Sequence, residues 1–341
     1  MEASISIDPL IDGMEDSTFE AAVPCSGELY TWMWWSQLVA TAVCTFSFAL
    51  FVGCNISFST DSTIRQYQKR CVGFAQPFIF ECIWRSIYPS LYIPRQVLWD
   101  TWHNSIMMDR TLAAIGEVCW VIQIHYVVQF INFQVRAIEL SKGIDDLRGT
   151  YFVHQAAKLA VCFAVLGEMF SYWSTGTLNN LYATYEPCCW TVLFALFTLC
   201  AIQLWKRLSV IQPQGTRSVT ITLAIMIVAG VIYVYYMLTE NIPMYYERYL
   251  EDQANGVQYL PVWHGLWQAL WLRYPRHDFN AWSEDWSWMT AYFSIACWSA
   301  ILLMHSPRIT ATTEEEEWVL RDMSSGKEIC LGQEEEDEDE V

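Results

Sequence analysis

Four ionisable residues lie inside long apolar stretches of this sequence: Glu81, Arg85, Glu117 and Glu168. A charged side chain is costly in hydrocarbon, so such residues usually pair with one another or line a pathway inside a helical bundle. Glu81 and Arg85 are four residues apart, so on a helix they share one face and can form an ion pair. Ionising all three carboxyl groups beside one guanidinium group is unfavourable in a low dielectric, because the negative charges repel one another. The sequence therefore predicts a carboxyl group that exchanges a proton or binds a cation.

Glu117 and Glu168 have similar flanking residues. Each carboxyl residue directly follows a glycine, in Ala113-Ala-Ile-Gly-Glu117 and in Ala164-Val-Leu-Gly-Glu168. Glycine lets two membrane helices approach closely, and the helical rise places all four ionisable residues in the outer half of a bilayer. The pattern predicts one proton- or cation-linked site with Arg85 as the counter-charge. The alternative is a static, ion-paired network that only holds the helices in register.

Other chemistries find little support in the sequence. Membrane metal sites need clustered His, Asp or Cys ligands at helical spacing, and the six histidines are dispersed. The chain has no Gly-rich phosphate loop, Gly-x-Ser-x-Gly or Cys-x-x-Cys motif. We therefore expect no metal and no cofactor, and an enzymatic function has little to rest on. Most cysteines are predicted to be small, buried apolar side chains. Cys25 is an exception, because it could form a disulfide with Cys188 or Cys189 in an oxidising compartment.

The apolar stretches themselves are long enough to cross a membrane. The chain is 54% hydrophobic and only 16% charged, a composition that favours contact with lipid. Helices that cross about 30 Å of hydrocarbon are predicted at 32–54, 111–135, 152–176, 185–205, 218–239 and 287–305. A seventh segment, 72–92, contains Pro77, Pro89 and the Glu81–Arg85 pair, so its crossing depends on burial against other helices.

The distribution of basic residues favours seven spans over six. With seven, eleven Lys and Arg residues of the span-and-loop region fall on one side and five on the other, and the richer side is cytosolic by the positive-inside rule. With six, this asymmetry disappears. The sequence thus predicts an all-α, polytopic transmembrane helical bundle of seven spans, or six if 72–92 does not cross, with the N-terminus outside and the C-terminus in the cytosol.

The net charge of -18 resides in the two ends of the chain. Residues 1–30 contain seven acids and no Lys or Arg, and residues 311–341 contain thirteen acids and two bases. We interpret both as acidic, disordered tails that flank a transmembrane domain at 31–310. Nothing in this pattern indicates a nucleic-acid partner. The first residues do not form a cleavable signal peptide, so we expect an integral protein of the plasma membrane or an endomembrane. We expect the lipid bilayer and a small ion or solute as partners, with any protein partner unknown.

Two groups of residues would lie at the outer surface. Trp263, Trp267 and Trp271 recur every four residues within an expected outer loop at 240–286, which predicts an aromatic helix face in the membrane interface or, alternatively, a lid. A second group would sit near the connection between the fourth and fifth spans and the start of the third, as a solvated turn or as an entrance: Asn179, Asn180, Tyr182, Tyr185, Glu186, Asp109 and Arg110.

Three functions are compatible with these features. The leading hypothesis is a carrier or channel in which the acidic cluster handles a proton or small cation. The second is a seven-helix receptor or sensor whose aromatic outer loop takes a ligand. The third is a scaffold subunit of a larger membrane complex, in which the cluster is purely structural.

Overall fold

The protein is a bundle of long helices. The structure, a computed structural model, describes residues 24–144 and 146–310, with side chains from residue 27 onward. Most of the two predicted tails therefore lies outside the described residues. The exception is the stretch 24–30, which belongs to the first helix rather than to a tail. Within the described residues the principal helices are α1 (Pro24–Asn55), α2 (Ser62–Ile87), α3 (Ile106–Ser141), α4 (Leu147–Thr177), α5 (Asn180–Ile211), α6 (Arg217–Tyr236), α7 (Ile242–Ala254), α8 (Val262–Trp271), α9 (Trp286–Ala291) and α10 (Cys297–Met304).

Six helical segments are long and apolar enough to cross a membrane. They lie at Gly27–Asn55, Ile106–Ser141, Leu147–Thr177, Asn180–Ile211, Arg217–Ala254 and Trp286–Met304. The last two are composite, because a π-helical turn at Met237–Asn241 joins α6 to α7 and another at Tyr292–Ala296 joins α9 to α10. The prediction of a multi-pass, all-α membrane protein is confirmed at this level.

Helix α2 is the most polar of the long helices. It begins ten residues before the predicted segment 72–92 because Asp61 caps it, accepting hydrogen bonds from the backbone N–H groups of Thr63 (2.9 Å) and Ile64 (2.8 Å). It ends at Ile87, so the prediction was wrong for the last five residues. The residue before a proline disfavours helical backbone angles, and Tyr88, which precedes Pro89, leaves the helix at φ -120°.

Consecutive long helices run in opposite directions. We call the end of the bundle at which α1, α3 and α5 begin the upper end, and the other the lower end. At the upper end the Trp35 indole of α1 donates to the Ile87 carbonyl of α2 (3.0 Å). At the lower end the Tyr67 hydroxyl of α2 donates to the Pro307 carbonyl (3.0 Å). Helix α2 therefore runs the whole length of the bundle, about 39 Å for its 26 residues.

The upper end is covered by the connections between helices. Strands β1 (Ser90–Leu91) and β2 (Gln96–Val97) form a short hairpin after α2, and β2 also pairs with β3 (Tyr274–Pro275). The expected loop at 240–286 was wrong for its first part, which continues as helix to Ala254, whereas its middle forms a helix, α8, where the tryptophan spacing predicted one. Arg95, which is 1% exposed, fixes α8 by donating to the Gly265 carbonyl (2.9 Å).

The lower end is closed by the segment that follows α10. The Gln134 side chain of α3 donates to the Ile309 carbonyl (3.1 Å) and accepts from the Ile309 N–H (2.9 Å). The Thr310 N–H donates to the Gly215 carbonyl (3.2 Å) between α5 and α6. Ile309 is 3% exposed, so residues 305–310 form part of the packed bundle.

Candidate functional site

The predicted ionisable residues occupy the upper part of the bundle, where α2, α3, α4 and α5 meet. Arg85 on α2 binds Glu81 one helical turn away (2.8 Å), and its side chain lies 3.5 Å from a carboxyl oxygen of Glu117 on α3. Glu168 on α4 lies beside Glu117, so the two carboxyl groups interact electrostatically. The four residues singled out from the sequence are therefore neighbours in space.

Glycine permits the close approach of the helices at this level. A Cβ atom on Gly116 would stand 2.7 Å from the Cβ of Glu81, so α2 and α3 touch at this point. Gly167 on α4 faces α5, where an added Cβ would lie 3.3 Å from the Trp190 indole nitrogen. Both glycines directly precede a carboxyl residue of the site, so the tight helix contacts hold Glu117 and Glu168 at the helix interfaces.

Two residues assigned to the start of the third span are central to the site. Because α3 begins at Ile106 rather than near 111, Asp109 and Arg110 lie inside the helix and are only 3% and 5% exposed. Asp109 accepts from Arg85 (2.8 Å) through one oxygen and from Arg110 (2.9 Å) through the other. Asp109 thus bridges the two guanidinium groups, and the interpretation of these residues as a solvated turn is wrong.

Glu186 completes the cluster from α5. It was assigned to a connection between spans, yet α5 begins at Asn180, so Glu186 lies nearly two turns inside the helix. Its carboxyl oxygens lie 4.0 Å from Arg110 and 3.0 Å from the Tyr92 hydroxyl, which donates to it. Tyr92 belongs to the turn between β1 and β2. Burial and the Glu186 carboxylate together raise the pKa of Tyr92 well above its ordinary value, so the phenol keeps the proton that it donates.

Tyr292 contacts the carboxyl groups from the last long apolar segment, Trp286–Met304. Its hydroxyl donates to Glu117 (2.7 Å) and lies 3.3 Å and 3.4 Å from the two oxygens of Glu81. It is the first residue of the π-helical turn before α10, and π-helical turns frequently occur at functional sites. The sequence offered no signal for this residue, because a tyrosine in an apolar span is ordinary and only the packing brings it to the acids.

The complete arrangement, which we call the acid cluster, contains more carboxyl groups than guanidinium groups. Its ionisable members are Glu81, Asp109, Glu117, Glu168, Glu186, Arg85 and Arg110. Five carboxyl groups against two guanidinium groups would leave three negative charges if all were ionised. Glu81 is 0% exposed and Glu168 is 6% exposed. One oxygen of Glu168, Oε1, has no hydrogen-bond partner among the described residues. Such a charge excess in a buried site favours retention of protons on some carboxyl groups.

The other predicted entrance residues are dispersed. Asn179 caps α5 by accepting from the Leu181 N–H (2.9 Å), and Asn180 donates to Asp252 of α7 (2.8 Å). The Tyr185 ring is 41% exposed on the outside of the bundle, packed against Phe170. Within the described region, none of these three side chains forms a hydrogen bond with a carboxyl group of the cluster, and Glu186 alone of the four residues joins it.

The aromatic residues of the outer segment form one face of α8. Trp263, Trp267 and Trp271 are 83%, 63% and 64% exposed, while Gly265 and Ala269 on the opposite face are buried. Gly265 packs against the backbone of Gly176 so tightly that a Cβ atom could not be accommodated. The helix therefore lies on the upper end of α4 with its tryptophans pointing away from the protein.

The predicted disulfide remains a prediction. The Cys25 side chain lies outside the described residues. Cys188 and Cys189 are free thiols more than two turns inside α5, where Cys189 is 5% exposed and packs near Gly167.

No protein-family model, curated protein or solved structure matches this chain. Its function must therefore be inferred from the geometry of the bundle and of the acid cluster.

Proposed function

We propose that this protein is a proton-linked membrane carrier in which Glu117 and Glu168 of the acid cluster hold an exchangeable proton. The observation that carries the proposal is the buried excess of carboxyl over guanidinium groups, together with the unpartnered Oε1 of Glu168. A network serving only to fix helix register would pair its charges evenly, since an unpaired buried charge destabilises a protein. Two carboxyl groups in mutual contact instead share a proton, and releasing it would change the interaction between α3 and α4.

A proton fits this site better than a bound metal ion. Among residues 24–144 and 146–310, no group of three or more His, Cys, Asp and Glu side chains is arranged to hold a metal ion. The carboxyl groups of Glu81 and Asp109 are already occupied by Arg85, at 2.8 Å in both cases. The proton therefore belongs on the carboxyl groups further from the guanidinium groups.

The proposal includes seven membrane spans, with α2 as the seventh. Its length of about 39 Å exceeds the hydrocarbon thickness of about 30 Å, and its ionisable residues Glu81 and Arg85 are buried against α3 and the last segment. With this crossing the upper end faces outside and the more basic lower end faces the cytosol. The exposed tryptophans of α8 would then lie at the outer membrane surface, where such residues concentrate.

Infrared difference spectroscopy can test whether the cluster holds a proton. Purified protein in nanodiscs is stepped through pH, and the carbonyl stretching band of protonated carboxyl groups is followed. We expect a titrating band that loses intensity in Glu117→Gln and in Glu168→Gln. Glu240→Gln is the matched control, because Glu240 is an exposed acid at the upper half of the α6–α7 helix. A spectrum unchanged in both cluster variants would refute the proposal.

A flux measurement tests the transport step separately. Protein reconstituted in liposomes with an internal pH indicator is exposed to an inward proton gradient in the presence and absence of candidate solutes. We expect solute-dependent proton flux in the wild type and the control Glu240→Gln, and at least a tenfold loss in Glu168→Gln. One combination of results favours the scaffold hypothesis over the carrier hypothesis. The infrared band titrates, no tested condition yields flux, and the protein co-purifies with a fixed protein partner.

A further inference from the structure

We infer that the solute carried is a small organic cation, an ammonium group on an apolar or aromatic body, held beside Glu117, Glu168 and Glu186. This inference rests on the proposed function, because it names the solute that would exchange with the proton. The residues that support it lie on the side of the acid cluster that faces away from Arg85, where α3, α5 and α6 contribute aromatic rings.

The carboxyl groups on this side are incompletely neutralised. Arg85 is bound at 2.8 Å by Glu81 and by Asp109, but lies 3.5 Å from Glu117. Arg110 likewise binds Asp109 at 2.9 Å and is 4.0 Å from Glu186. The two guanidinium groups are thus drawn toward Asp109, which leaves negative charge on the far side of the cluster for a further cation.

Glu168 offers a free acceptor there. The residue is 6% exposed and lies beside Glu117, and its Oε1 atom has no hydrogen-bond partner among the residues the structure describes. A buried acceptor without a partner destabilises the protein, so this oxygen indicates a site that a donor fills. An ammonium N–H supplies both the donor and the compensating charge.

Aromatic rings adjoin these carboxyl groups. Trp120 lies one helical turn after Glu117 on α3, and its ring centroid is 5.7 Å from that of Phe194 on α5. Phe194 in turn packs against Tyr233 on α6 (4.3 Å), and the charges of Glu117 and Glu186 act on the Tyr233 hydroxyl. The indole nitrogen of Trp120 also lacks a hydrogen-bond partner within the described region. Aromatic faces next to carboxylates are the usual surroundings of bound organic ammonium groups.

The carboxyl groups on this side of the acid cluster keep some accessible surface. The side chain of Glu186 keeps 15% of its surface accessible, and the corresponding value for Glu117 is 12%. By contrast, the Glu81 side chain on the arginine side is 1% accessible. The accessible surface therefore lies on the carboxyl-rich side of the acid cluster and not on the side that Arg85 occupies. An inorganic divalent ion would not need the aromatic rings.

Calorimetric titration of the protein in nanodiscs tests this inference, with phenethylammonium chloride as the probe and potassium chloride at matched ionic strength as the comparison. We expect phenethylammonium to bind and potassium to bind at least tenfold more weakly. Glu168→Gln should weaken phenethylammonium binding about tenfold or more, as loss of a charged hydrogen-bond partner does. Tyr233→Leu should weaken it roughly 2- to 30-fold, the range of a cation–π contact, whereas Tyr233→Phe should retain most of the affinity.

Two exposed residues provide matched controls. Glu240→Gln removes an acid and Phe80→Leu removes a ring that is 52% exposed, and neither should change the affinity. Equal binding of phenethylammonium and potassium, or wild-type affinity in folded Glu168→Gln, would overturn the inference. The infrared titration separates the two ideas. If the carboxyl band still titrates while no organic cation binds, the proton-linked function stands and only this solute class is refuted.

Discussion

Removal of Arg207 should destabilise the protein far more than removal of an exposed arginine. Arg207 on α5 lies near the lower end and is paired with Glu139 of α3 through two hydrogen bonds of 2.8 Å and 2.6 Å. It also donates to Asn132 (2.6 Å) and to the Thr150 hydroxyl (2.8 Å). The side chains of Arg207 and Glu139 are only 4% and 2% exposed. This is therefore a buried ion pair whose polar groups are well supplied with partners.

The expected magnitude follows from what remains after each substitution. Arg207→Met leaves the Glu139 carboxylate buried without its counter-charge, which costs about 3–5 kcal/mol. In the double variant Arg207→Met/Glu139→Met both charges are gone. Asn132 and Thr150 each keep another hydrogen bond. Only the side-chain carbonyl of Asn132 loses its partner, which costs about 1–3 kcal/mol of stability. The double variant should therefore be about 2 kcal/mol more stable than Arg207→Met alone.

Reversible unfolding in mixed micelles, followed by circular dichroism as the fraction of denaturing detergent increases, measures these differences. The control is Arg248→Met, which breaks the exposed ion pair with Glu284, whose side chain is 71% accessible. Exposed pairs contribute about 0–1 kcal/mol. If Arg207→Met cost no more than Arg248→Met, or if the double variant were less stable than Arg207→Met, the assignment of a buried, mutually dependent pair would be incorrect.

Three further substitutions probe other contacts. Gly116→Ala should lower stability by about 1–3 kcal/mol in the same unfolding assay, because its Cβ would stand 2.7 Å from that of Glu81; an unchanged midpoint would contradict the close α2–α3 contact. Gly265→Ala should lift α8 from Gly176 and speed proteolysis at residues 255–261, and protection equal to the wild type would count against this packing. Gln134→Leu should increase hydrogen exchange at residues 306–310, since both side-chain bonds to Ile309 are lost, and unaltered exchange would show that other contacts hold the segment.

The membrane-crossing elements were largely predictable from composition. Apolar runs of about 20 residues with few charges form helices in lipid because every backbone polar group is satisfied within the helix, and six such runs correspond to the six apolar helices. The helix ends were less predictable. Some ends depend on local caps such as Asp61 and Asn179. Others depend on a helix that continues past its apolar run, as α7 does, and the polar sequence there did not predict that continuation.

The sequence by itself determined that Glu81, Arg85, Glu117 and Glu168 must avoid lipid, because their charge and their apolar surroundings leave few alternatives. Only the tertiary structure decided which partners they meet. Asp109 became the bridge between the two arginines because α3 begins five residues earlier than its apolar run. Tyr292 reaches the acid cluster from a helix that lies more than a hundred residues after Glu117 in the sequence. Contacts of this kind depend on helix rotation and on glycine-mediated approach between helices, which a one-dimensional pattern of hydrophobicity does not encode.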